Sequence, residues 1–211
     1  MISSVRLKPL SWHPYIAPVE LADATPEQRD AMKVTPSAKK VSNYVRTLVH
    51  DPESYLARTV LFNAIMYVEG GLARPDRELG ALGASLVNGC KYCAVVHARR
   101  HAELTKSDGV VTALYLDRPE ALGPRDAAIY RFARRLSAAP SEATEADIAA
   151  LRATGLDDHQ IIDLIHAIAI FGWANRLMHV LGHAESPKRP GSTKRDPAEG
   201  RQHQPSGPAG A

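Results

Sequence analysis

The chain has 211 residues, 45% apolar and 23% charged, a composition that excludes a largely disordered or fibrous protein. No run approaches the ~18 uninterrupted apolar residues of a membrane span, and residues 1–5 carry no charged-then-apolar export signal, so a cytoplasmic chain is expected. The formal charge of +3 sits in the segment from Ser186 onward, which holds five basic and two acidic residues and leaves 21 of each sign before it. A neutral body implies neither a nucleic-acid surface nor a membrane surface.

Residues 1–24 carry Pro9, Pro14 and Pro18, a spacing that prevents a continuous helix, so an extended arm lying on the body or on a neighbouring subunit is expected. Thr25-Pro26 and Thr35-Pro36 each set a capping residue before a proline at the first helical position. Val41, Tyr44, Val45, Leu48 and Val49 then recur with helical period. Asp51-Pro52 opens a helix through Leu56, Val60, Leu61, Ile65 and Met66 that stops by Gly70-Gly71. The next, Arg74 to Val87, puts Leu79, Leu82 and Leu86 on one face and ends near Asn88-Gly89. A fifth runs from Cys90 or Lys91 to about Leu104, and Ser107 caps a short sixth. Pro124 opens a seventh with Ile129, Phe132 and Leu136 inward. Thr144 with Asp147, and Asp157 with Gln160, have the spacing of capping boxes for an eighth helix and for a long ninth ending near Gly182. No alternating strand flanked by hairpin turns is found. The expected fold is all-α: a single helical domain over residues 25–184, preceded by the arm and followed by a disordered basic tail, 185–211. From Ser186 that tail has five prolines, four glycines and no Val, Ile, Leu, Met or aromatic residue.

The chemistry gathers at Asn88-Gly89-Cys90-Lys91-Tyr92-Cys93, with His97 four residues on. Two cysteines three apart, without an export signal, point to redox or metal chemistry rather than a disulfide scaffold. Cys90, Cys93 and His97 share one helix face, with both thiols in the first turn, where unpaired amides and the helix dipole favour a thiolate. His97 is within reach as a base, directly or through a water. Glu78 lies on the preceding helix, which the short Asn88-Gly89 link folds back against the cysteine helix, so its carboxylate can orient His97. An acidic thiol, a base and a second thiol are the parts of a peroxide-reducing cycle. Zinc held by Cys90, Cys93, His97 and His101 is disfavoured. Those side chains are strung over about 16 Å of one helix at ~1.5 Å per residue and cannot enclose a tetrahedral ion.

This segment resembles the AhpD-like alkylhydroperoxidases of the carboxymuconolactone decarboxylase superfamily, in particular their peroxidase-related subgroup. Phe171-Gly172-Trp173-Ala174-Asn175-Arg176-Leu177 is similar to that subgroup's closing helix, and Pro140 to Gly155 to the helix before it. The resemblance covers roughly residues 40–184. It implies an AhpD-like helical bundle assembled as a homo-oligomer, trimer or hexamer, that reduces organic hydroperoxides without a bound cofactor or metal. By position, Cys93 matches the peroxide-attacking cysteine, Cys90 the resolving cysteine, and His97 and Glu78 the proton relay. An external dithiol, lipoyl or thioredoxin-like, is the implied reductant. Tyr92 stands where the best-understood members carry a relay histidine. A phenol near pKa ~10 is a poorer relay at neutral pH. Val96 replaces one member of a histidine pair. The superfamily also contains decarboxylases of small cyclic lactones, and a non-catalytic redox-responsive oligomer would use the same thiols.

Asn175 and Arg176 sit on an apolar helix. A buried ion pair or subunit contact is the expected role of Arg176, and contact with the thiol cluster is the alternative for both. His166, His179 and His183 are expected to form a polar stripe on that helix. Arg99-Arg100 and Arg134-Arg135 read as solvated faces.

Overall fold

The capping signals decide where the chain turns. Thr25 and Gln28 exchange side chain–backbone hydrogen bonds of 3.2 and 3.0 Å, and Asp157 and Gln160 do the same at 2.8 and 3.2 Å. The Asp147 carboxylate accepts from the Thr144 N–H at 2.9 Å. Each such cap stabilises its helix by roughly 1 kcal/mol.

The computed structural model describes residues 7–34 and 41–186. The expected helix start at Thr35-Pro36 and the tail from residue 187 lie outside the described residues. In chain order the elements are β1 (Ser11–Pro14), α1 (Pro26–Met32), α2 (Asn43–Leu48), α3 (Pro52–Met66), α4 (Arg74–Val87), α5 (Lys91–Thr105), α6 (Gly109–Tyr115), a 3-10 turn (Pro119–Ala121), α7 (Pro124–Ser137), α8 (Glu145–Arg152), α9 (Asp158–Leu181) and β2 (Gly182–Glu185).

The all-α expectation holds with one correction. β1 and β2 pair antiparallel, with Trp12 opposite Ala184 and His13 opposite His183. Each strand has four residues, too short to show alternation, and no hairpin turn links them. The pairing therefore leaves no local mark in the sequence. Through it the N-terminal arm is fixed on the body beside the end of α9.

α4 is the central helix. Every residue from Asp76 to Ser85 is buried, and α5, α7 and α9 pack around it. Leu79, Leu82, Ile129, Phe132, Leu164 and Ile168 belong to the resulting core. α9 is long and apolar enough to cross a membrane by length and composition, yet half of its most apolar window is buried inside the protein. It is the second core helix, packed against α3, α4, α7 and α8. Arg135 keeps an exposed side chain, as expected of a solvated face, and also makes contacts across the fold. It bonds Asp147 at 3.0 Å and the Glu142 carbonyl, tying α7 to α8.

Candidate active site

The α4–α5 turn builds the site. Gly89 has φ +68°, the left-handed conformation that lets the chain reverse in two residues. Cys90 becomes the N-cap of α5, its backbone N–H held by the Ser85 carbonyl at 2.9 Å. Cys93 lies one turn on, and both sulfurs are buried and free.

The two thiols share one hydrogen bond and differ in acidity. Cys90 is lowered from 9.0 to about 6, chiefly because its sulfur accepts the hydrogen bond of the Cys93 thiol. Burial opposes this shift, while the Cys93 backbone N–H and the nearby His179 and His97 rings add to it. Cys93 is pushed well above the usual thiol range by that same bond to Cys90 and by burial. A hydrogen bond with Asn175 and the charge of Arg58 partly offset the rise. The reduced pair thus carries its first negative charge on Cys90, where the helix N-terminus stabilises it.

Behind the thiols, Glu78 is buried between two donors. Arg74 binds Oε1 through Nε at 2.7 Å and also through Nη2, and His97 Nδ1 donates to Oε2 at 2.6 Å. Burial alone would raise the Glu78 carboxyl. The His97 hydrogen bond and charge, with those of Arg74, outweigh it and hold the carboxyl below its ordinary value. The His97 ring stands edge-on to Phe171 with centroids 4.2 Å apart, which fixes its plane. With Nδ1–H committed to Glu78, Nε2 is the nitrogen left to accept or give a proton.

Asn175 is fully buried and enters the site. Its Oδ1 accepts from Asn88 Nδ2 at 3.1 Å, and its Nδ2 donates to Ser85 Oγ at 3.3 Å. It therefore joins α9 to the α4–α5 turn while touching Cys93. Arg176 does not enter. It is exposed and bonds only its own helix, at the Gly172 carbonyl, so the expected buried pair is absent among the described residues. One helical position after a buried asparagine, its side chain is rotated out of the core. Tyr92 packs half-buried beside the thiols, its phenol pushed further up by burial and by Cys93. Of the histidine stripe, His179 Nε2 donates to the Asn88 carbonyl at 3.0 Å. His183 falls in β2, because α9 ends at Leu181.

Several neighbours have no signal in the local sequence. Trp12, from the arm, packs with Cys90, Cys93 and Met178 and donates to the Met178 carbonyl at 3.3 Å. Tyr44 meets Trp12 edge-on at 5.3 Å, its phenol buried without a hydrogen-bond partner among the described residues and raised by burial. Arg58 stacks over Phe62 at 4.5 Å, and its charge favours the deprotonated forms of Cys93 and Tyr44. Arg74 was readable, since it stands four residues before Glu78 on one helix face. The close approach that seats Trp12 requires Gly182. A Cβ there would lie 2.3 Å from the His13 carbonyl and 2.4 Å from the Trp12 ring. Beside Cys90, and not reaching Cys93, a cavity of about 280 Å³ opens between the β1–β2 ribbon and the start of α5. Among the described residues no group of three or more His, Cys, Asp or Glu is placed to hold a metal ion.

Residues 52–135 match the carboxymuconolactone decarboxylase family. Comparison with curated proteins returns no match. A solved structure of an alkylhydroperoxidase AhpD core, a peroxidase-related protein from Ralstonia eutropha JMP134, is 32% identical with a TM-score of 0.69, over 80% of this chain and 91% of that one. A peroxidase-related protein from Silicibacter sp. TM1040 is 26% identical, TM-score 0.64, over 78% and 89%. The debrominase Bmp8, 19% identical with a TM-score of 0.67 over 80% and 90%, shares the fold. Helix order, family match and the similarity to the Ralstonia protein together make this chain an AhpD-like member of the carboxymuconolactone decarboxylase family.

Proposed function

We propose that the chain is a thiol-dependent alkylhydroperoxidase of the cytoplasm. The observation that carries this reading is the pair of buried free thiols one turn apart at the start of α5, backed by the Glu78–His97 hydrogen bond. In the proposed cycle Cys93 passes its proton to Cys90 and attacks the terminal peroxide oxygen. The O–O bond breaks, an S–O bond forms, and the alkoxide takes up a proton and leaves as the alcohol. Cys90 then attacks the sulfenic sulfur of Cys93. Hydroxide departs with the proton that Cys90 took from Cys93 as water, and the Cys90–Cys93 disulfide remains. His97 relays protons through Nε2, and Glu78 is the positioning residue that keeps Nδ1 protonated. Asn175 holds Cys93 in place, and an external dithiol restores the pair. An exposed apolar groove along α3 and α9, lined by Leu61, Ile65, Ile170 and Trp173, favours assembly as a homo-oligomer, and the family resemblance is what suggests a trimer or hexamer.

The test is a thiol count and intact mass after one equivalent of cumene hydroperoxide is added to reduced protein. The expected result is loss of two thiols and two mass units, reversed by a dithiol. Cys93→Ser should lose turnover, and Cys90→Ser should undergo one oxidation without a cycle. Turnover retained by Cys93→Ser, or two thiols inert toward peroxide, overturns the proposal. The lactone-type decarboxylase reading would then lead.

A further inference from the structure

Two buried donors near the thiols lack acceptors. The Tyr44 hydroxyl and Arg58 Nε are both out of contact with solvent and have no hydrogen-bond partner among the described residues. Tyr44, on α2, packs against the cluster of Trp12, Cys90, Cys93 and Met178, with its ring edge-on to Trp12 at 5.3 Å. Arg58, on α3, lies with its guanidinium 4.5 Å from the Phe62 centroid and 6.0 Å from that of Trp173. Its charge acts on both Cys93 and Tyr44. Burying an unpaired hydroxyl costs stability that a phenylalanine would not cost. Burial also keeps the Tyr44 phenol protonated, so it remains a donor at neutral pH. Tyr92, the other phenol at the thiols, lines the cavity beside Cys90, and Cys93 does not. Tyr44 stands before residues 52–135, outside the segment that matches the family.

We infer that Tyr44 and Arg58 form the oxygen-binding side of the peroxidase site: the Tyr44 hydroxyl donates to the oxygen that departs as alkoxide, and Arg58 Nε donates to the peroxide as Cys93 attacks it. The inference rests on the proposed attack of Cys93 on a hydroperoxide and deepens it: the site is suited to alkyl hydroperoxides, whose leaving oxygen is strongly basic. As the Cys93 thiolate forms its S–O bond to the terminal oxygen, the electron pair of the O–O bond collects on the inner oxygen. That oxygen takes the phenolic proton and leaves as the alcohol. The phenolate, beside the Arg58 charge, regains a proton from solvent. An alkoxide is a far stronger base than a phenolate, so the transfer runs downhill. A peracid needs no such donor, because its leaving carboxylate is stable without a proton.

The experiment mixes the reduced full chain with tert-butyl hydroperoxide or with peracetic acid and measures the second-order rate of thiol loss. Tyr44→Phe should slow oxidation by tert-butyl hydroperoxide at least about tenfold, the scale of one lost proton donor, and oxidation by peracetic acid less than about twofold. Its denaturant midpoint should be unchanged or higher, since only an unpaired hydroxyl is removed. Arg58→Met should slow both oxidants at least about tenfold, and Arg58→Lys, which keeps the charge without the planar donor, should recover part of the rate. The ratio between the two oxidants is the decisive readout, because a packing defect would slow both alike. Equal slowing of both oxidants by Tyr44→Phe, no slowing of either, or a wild-type rate in Arg58→Met overturns the inference. A wild-type chain inert to both oxidants would sink the alkylhydroperoxidase reading and the inference with it. Wild-type oxidation with an unchanged ratio in Tyr44→Phe would sink the inference alone.

Discussion

Arg77 and Glu78 follow one another on α4, each about 1% exposed, and their surroundings differ in kind. The Arg77 guanidinium donates to the carbonyls of Ile65 and Val68 at 3.0 Å and Gly70 at 2.8 Å, and to Asp163 at 3.1 Å. Asp163 also takes the Leu72 N–H at 2.9 Å. These bonds fasten the loop between α3 and α4 onto α9, and no partner in the set except Asp163 can change charge. Glu78 is held as firmly, but one of its partners is an imidazole that leads toward two thiols. A buried charge surrounded by fixed dipoles is a fastener. A buried charge whose neighbour titrates is a proton device.

The largest effect should come from breaking the fastener. Arg77→Met should cost about 3–5 kcal/mol in denaturant unfolding, because it orphans the loop carbonyls and Asp163 together. The acidity of Cys90 in the folded protein should stay where it is. A loss below ~1 kcal/mol would break the contrast between the two residues.

Glu78→Gln should act mainly on proton behaviour. The folded carboxyl is held below its ordinary 4.5, so its contribution is complete above that value and fades as pH falls through the lower folded value. The variant should therefore show a flatter loss of stability on acidification below pH 4.5, and slower oxidation of the pair by peroxide at neutral pH. An unchanged acid limb in pH-dependent unfolding would put Glu78 with Arg77 as a purely structural charge.

The smallest and sharpest effect concerns Cys90. Its folded value of about 6 lies below its ordinary 9.0, so the reduced protein should gain stability between pH 6 and 9 and lose it as pH falls through 6. Thiolate absorbance should rise with a midpoint near pH 6 for one sulfur. Cys90→Ser should remove both the rise and the pH window. A first midpoint near that of free cysteine would mean that the pair shares no proton.

The thiol cluster was legible because its geometry is local. Three of its residues lie on one helix, and Glu78 lies on the helix before it, joined by a turn too short to allow any arrangement but an antiparallel pair. Helix starts were legible wherever a cap and its partner stood three residues apart, as at Thr25 and Asp157. Asn175 could be seen as an anomaly in an apolar helix, but its partners come from packing. The buried pair expected of Arg176 is absent among the described residues: apolar neighbours in sequence do not state which way the helix is rotated. Trp12, Tyr44 and Arg58 were out of reach, since each meets the thiol region through an element far away along the chain. The β1–β2 ribbon was missed for the same reason.

That ribbon joins residues 168 to 174 apart, Pro14 to Gly182 and Ser11 to Glu185. On the ribosome, Trp12 emerges long before the residues that must hold it. The Cys90 turn is made midway through synthesis and can fold while the strand that completes its wall does not yet exist. Oxidants in the growing cell therefore meet this cysteine first as an uncovered thiol on a nascent chain, and its shelter is assembled last.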